Sequence, residues 1–63
     1  MKGQLDKQAF RRALWERGGA TRVADELGVS RQAIYKWMDS GRVPESRLPA
    51  VRRVLGSHWE PSA

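Results

Sequence analysis

The chain contains no cysteine, so neither a disulfide nor a thiolate-bound metal can staple it. That absence also fits a reducing compartment. Histidine occurs once, at His58, with no Asp, Glu or Cys cluster beside it. No His–carboxylate arrangement, metal-ligand spacing or glycine-rich phosphate loop can be found. The expectation is therefore no enzyme, no metal, no cofactor and no small-molecule ligand. Long apolar runs are missing as well, which argues against a membrane partner. The opening "MKGQLDKQ" lacks the apolar stretch of a signal peptide, so the expected location is cytoplasmic. Val, Ile and Thr are few and never alternate as a strand requires.

With 63 residues, the chain is expected to form one small domain, 1–63, with 1–5 and 57–63 as loose termini. A domain of this size buries only about 60% of the surface its unfolded chain exposes. Its core supplies roughly 3–5 kcal/mol of net stability. What the chain does have is positive charge: 12 Lys and Arg against 7 Asp and Glu, a net +5. Arg dominates these cations, and its planar donor fork suits phosphates and base edges. Charge of this size also serves plain solubility, so its distribution has to decide.

The apolar spacing is helical throughout. A first helix is expected over 7–17, capped by Asp6, whose carboxylate can accept from the free amides of the first turn. Leu5 and Phe10 fit a hydrophobic staple around that cap. Phe10, Ala13 and Leu14 share one face, and Trp15 at its edge is expected to be partly buried. Gly18 and Gly19 end this helix, one as a left-handed stop and the other as the cap of the next. A second helix follows over 20–27, and a third runs from 31 to about 38–40, with Gly41 as its stop. "RVP" is an extended connection, because the residue before a proline avoids the helical region. A fourth helix is expected over about 45–55, with Leu48, Val51, Val54 and Leu55 inward. Pro49 leaves two options: it lies near the first turn of that helix, or the main helix begins only at Leu48. The remaining "SHWEPSA" reads as a loose tail, anchored if at all by Trp59.

The stretch "ATRVADELGVSRQAIYKWMD" meets the demands of a helix-turn-helix, two short helices joined by a tight turn. Gly28 can take the left-handed conformation that reverses the chain. Ala24 is small where the two helices approach. Val23 and Leu27 face the core from one helix, Ile34 and Trp37 from the other, and Val29 plugs the turn. Ser30 supplies an N-cap. With Ile34 and Trp37 inward, Arg31, Gln32, Tyr35 and Lys36 fall on the opposite side. Arg can pair with guanine O6 and N7, and Gln with adenine N6 and N7. Arg31 and Gln32 are thus expected to read bases. Tyr35 would contact a thymine methyl or a phosphate, and Lys36 a base or the backbone. The start of the second helix, Ala20 and Thr21 with Arg22, offers amides and a cation to a phosphate. Ser30, Ser40 and Arg42, with Arg47 as a further candidate, lie on connections that would flank the groove.

In these residues (Val23, Ala24, Leu27, Gly28, Val29, Ser30, Ile34 and Trp37) the chain resembles the helix-turn-helix of Cro-type phage repressors and YdaS-type antitoxin-like regulators. The downstream "GRVPESRLPAVRRVLG" is similar to the loop and fourth helix of small Cro-like proteins, so the resemblance covers about 7–56. It implies an all-α, lambda-repressor-like domain of four to five helices. It also implies a sequence-specific DNA-binding repressor that uses two subunits on a two-fold double-stranded operator. The location would be the nucleoid of a bacterial or phage-infected cell. Many relatives carry Gln near the start of the second helix, where this chain has Ala20 and Thr21.

The homodimer would be weak off DNA, with the fourth helix, Val43 and Trp59 as candidate contacts. A rival reading is an antitoxin-like protein-interaction module that docks a partner on Leu55 and Trp59. Arg52 and Arg53 read as a solvated helix face. Asp25 and Glu26 read as surface charges beside Arg22; Asp39 could accept from a cytosine amine or hold an Arg, and the second is the expectation.

Overall fold

The structure is a computed structural model and describes residues 3–61. The fold is all-α, as the spacing predicts. Four α-helices follow in order: α1 (Lys7–Glu16), α2 (Ala20–Leu27), α3 (Arg31–Ser40) and α4 (Leu48–Leu55). A 3-10 turn, Glu45–Arg47, leads into α4. α2 packs against α1, α3 and α4 in a body of 29 × 22 × 21 Å. No helix among the described residues is long and apolar enough to cross a membrane.

Each part of the chain sends one large side chain into a shared centre. Phe10 of α1, Val23 of α2, Ile34 of α3, Val51 of α4 and Trp59 of the tail are fully enclosed. Asp6 caps α1 as expected, with Oδ1 accepting from the amides of Gln8 at 3.0 Å and Ala9 at 3.2 Å. Leu5 and Phe10, the expected staple, are both buried in the same cluster. Pro49 takes the second of its two options. The "ESR" segment forms the 3-10 turn, and α4 starts at Leu48 with Pro49 in its first turn. A proline there removes only an amide that would have had no helical partner.

The termini depart from expectation. Segments 3–5 and 57–61 are fastened to the body, while Met1, Lys2, Ser62 and Ala63 lie outside the described residues. Gln4 forms an antiparallel bridge with Arg42. Around it the Val43 amide donates to Gly3 O at 2.7 Å, and the Leu5 amide to Gly41 O at 3.0 Å. Gly3 has φ +83, and a Cβ there would collide with the Val43 carbonyl oxygen, so glycine is required at this crossing.

Trp59 is the reason the tail is ordered. Its ring meets Phe10 edge-on, with centroids 5.5 Å apart and planes at 87°, a favoured aromatic geometry. Its Nε1 donates to Gly56 O at 2.6 Å, and its carbonyl accepts from the Asp6 amide at 2.8 Å. Arg52 is more than a solvated cation, because its Nε reaches Glu60 Oε1 at 2.6 Å and ties the tail to α4.

Three further expectations are corrected by burial. Trp15 is 81% exposed rather than partly buried. It lies on the side of α1 opposite Phe10, where no element packs over it. Val43 and Trp59, at 2% and 0% exposed, belong to the domain's own core and are unavailable as dimer contacts. Leu55, at 6%, is equally unavailable as a docking patch.

Candidate nucleic-acid interface

The junction between α2 and α3 is built by three residues. Gly28 closes α2 in the left-handed conformation, φ 71 and ψ 29. An L side chain there is strained even though the space is open. The Val29 amide donates to Ala24 O at 3.0 Å, which folds the turn back over α2. The Val29 side chain is half-buried against the core. Ser30 is extended, and its Oγ accepts from the Ala33 amide at 3.1 Å, so α3 starts with a satisfied cap.

α3 is thereby held with Ile34 and Trp37 inward, at 0% and 7% exposed. Arg31, Gln32, Tyr35 and Lys36 are all exposed, Tyr35 at 52%. Their spacing along the helix places 31 above 35 and 32 above 36, so the four form one outward face. Asp39 is also exposed on α3 and forms no ion pair among the described residues, so the expected Arg partner is not seen.

A cleft flanks α3 at each end. The first, about 560 Å³, lies between the start of α2 and the start of α3. Thr21, Arg22 and Arg31 line it, together with Asp25 and Val29. The second, about 440 Å³, lies beyond the C-terminal half of α3. Lys36, Ser40 and Arg42 line it, with Pro44 and Glu45 on the far wall. The structure thus sorts the expected residues into two groups that the sequence does not separate. Ten helical residues span about 15 Å, so the cationic groups stand at the two ends of a face of that length.

Local contacts set how free these groups are. The Arg22 guanidinium is 3.8 Å from Glu26, which also takes Arg17 at 3.4 Å. The Arg22 stem runs close to Gly18, where a Cβ would come within 3.3 Å of Cγ. Gly18 therefore makes room for Arg22 as well as ending α1. Both ion pairs are largely solvated, so Glu26 orients Arg22 without neutralising it strongly. Ser40 Oγ donates to Trp37 O at 3.2 Å and so is engaged within its own helix end. Ser30 Oγ is likewise occupied as a cap acceptor but keeps its proton to donate. Ala20 is half-buried against the core and can offer only its backbone. No side chain caps the first turn of α2, whose N-cap is Gly19. Arg47 is exposed on the 3-10 turn and lines neither cleft.

Two features of the site escape sequence reasoning. Asp25 and Glu45 each place a carboxylate in an otherwise cationic cleft. The Gln4 bridge fixes the backbone of Arg42, and no local pattern signals a pairing between residues so far apart in the chain. A separate cleft of about 630 Å³ between α1 and the end of α4 mixes Asp6, Glu16, Arg12, Arg17 and His58. Its charges largely offset one another, so it does not form a pole for an anion. No group of three or more acidic or histidine side chains suited to a metal ion occurs among the described residues. Comparison with protein families, characterised proteins and solved structures finds no match, so the reading of this surface rests on its own chemistry.

Proposed function

We propose that this chain is a sequence-specific DNA-binding transcriptional repressor of the Cro type, in which α2 and α3 act as a helix-turn-helix. The single observation that carries the reading is the pairing of the α3 face with the two clefts. A side-chain row able to read base edges (Arg31, Gln32, Tyr35 and Lys36) runs between two cation-lined clefts. A major groove about 12 Å wide admits one helix and has a phosphate row on either side. Arg22 with the uncapped start of α2 would meet one row, and Arg42 with Lys36 the other. Phosphate contacts would set register, while Gln32 and Arg31 would specify bases.

One α3 reads only a few base pairs, so useful specificity requires two subunits on a two-fold site. Their recognition helices would be about 34–36 Å apart on one face of the duplex. Repression would follow from occupying a promoter. The rival reading, a docking module that uses Leu55 and Trp59, loses its surface because both side chains are buried.

The test is selection of bound duplexes from a random pool, followed by an electrophoretic shift on the enriched sequence. The expected result is a palindromic site with half-site centres about 10–10.5 base pairs apart. No enrichment, together with no shift on random duplex at low salt, rejects the reading.

A further inference from the structure

The outer face of α1 is unused by the fold and by the proposed DNA contacts. Phe10, Ala13 and Leu14 turn α1 toward the core. On the opposite side Gln8, Arg11, Arg12 and Trp15 are all exposed, and Trp15 is the most exposed large hydrophobic side chain described, at 81%. Arg11 and Arg12 sit one turn before Trp15, and neither forms an ion pair among the described residues, although Arg12 also borders the cleft that holds Asp6 and Glu16. An indole left in water beside two unpaired guanidinium groups offers one apolar anchor and two anion-binding forks on a single rigid helix.

We infer that this face docks an acidic segment of another protein, one that carries an apolar side chain between its carboxylates. Carboxylates would take Arg11 and Arg12 as charge-assisted, bidentate pairs. The apolar side chain would cover the Trp15 ring, a residue type that dominates interface energetics. The charges on the face decide between occupants. A second copy would bring Arg11 and Arg12 against their equivalents. Duplex DNA offers phosphates to the arginines, but its apolar surface for a side chain is confined largely to thymine methyls at the groove edge, where the proposed reading face of α3 would sit. α1 packs on α2 and the tail, whereas the proposed reading face belongs to α3. The inference is independent of DNA binding and stands or falls separately from it.

Trp37 and Trp59 are buried at 7% and 0% exposed, so quencher-accessible tryptophan emission reports Trp15. The probe is a short labelled peptide of Asp and Glu interleaved with Leu and Phe, compared with an all-Glu peptide and a Lys-for-acid control. The acidic, apolar peptide is expected to shield Trp15 from acrylamide, to bind more weakly as salt rises, and to outbind both controls. Trp15→Ala, and separately Arg11→Glu with Arg12→Glu, should each weaken binding by about tenfold or more in fluorescence anisotropy. The far-UV circular dichroism of Trp15→Ala should be unchanged, since the side chain supports no packing. Four outcomes overturn the inference: no binding at millimolar peptide, equal binding by the variants, shielding of Trp15 by self-association alone, or equal shielding by duplex DNA.

Discussion

Gly28 shows how much a single backbone angle decides here. Its φ of 71 lies where a Cβ is strained, yet nothing stands within 4 Å of where that Cβ would be. Gly28→Ala therefore isolates backbone strain from steric clash. It should cost about 1–2 kcal/mol and lower the melting temperature by roughly 4–8 °C per kcal/mol in a domain this small. A melting temperature equal to the parent would show that the turn has relaxed another way. On the proposed α3 face, Gln32 and Arg22 should separate cleanly. Gln32→Ala should cost about 1–3 kcal/mol and relax preference at one base pair of a selected site. Arg22→Ala should weaken binding to all sequences alike and reduce the salt slope by about 1. If neither substitution changed binding to a selected site, the assigned face would be wrong. The roles of Gly28 and Ser30 were legible from type and position, since few residues take a left-handed turn or cap a helix. That of Gly3 was not, because it is set by a carbonyl contributed from across the domain; Gly18 was legible as a helix stop but not as the seat of the Arg22 stem.

At the level of elements, the helices were legible because each carries its own signals of start, face and stop. Asp6 and Ser30 cap α1 and α3 through backbone amides two or three residues ahead. α2 stops before Gly28, as expected, and α4 ends at Leu55, the expected limit, with Gly56 as its C-cap. The choice at Pro49 was left open, because a proline suits a first turn whether the preceding residues are helix or 3-10 turn. The tail was read as loose, anchored if at all by Trp59; that anchor is present, and its main partners lie on the first helix and its cap. Phe10 and Asp6, far from the tail in sequence, hold Trp59, while Arg52, eight residues before Glu60, pairs with it from α4. Trp59→Ala should cost about 3–5 kcal/mol, comparable to the roughly 3–5 kcal/mol that a domain of this length has in all. Circular dichroism should then show a largely unfolded chain at room temperature. A Trp59→Ala variant that melted within a few degrees of the parent would mean that the Phe10 contact is incidental. Ser30→Ala should cost only about 1 kcal/mol, because it removes one cap bond at a solvated helix start.

For the whole molecule, the balance of charge and exposed apolar surface sets association. Among the described residues Trp15 and Tyr35 are the exposed large hydrophobics, and they lie on different helices. Val43, Leu55 and Trp59 are enclosed, so among the described residues the side chains expected to hold a dimer or a docked partner are not on the surface. Sedimentation should find mostly monomer at micromolar concentration, with pairing only on a two-fold site. A tight dimer in the absence of DNA would reject this. Affinity for duplex DNA should fall steeply with salt, with a slope of roughly −0.9 per phosphate contacted. The sequence by itself determined the four helices, the left-handed reversal at Gly28, and which side chains of α3 face outward. These follow from 3.6-residue periodicity and from caps that act within a few residues. Only the tertiary structure decided that Trp59 closes the core, that Trp15 stays in water, and that Arg22, Arg31, Lys36 and Arg42 divide between two clefts. Those outcomes depend on which surfaces meet across the domain. A local pattern can mark a tryptophan as apolar, but only the packing of distant segments determines whether anything covers it.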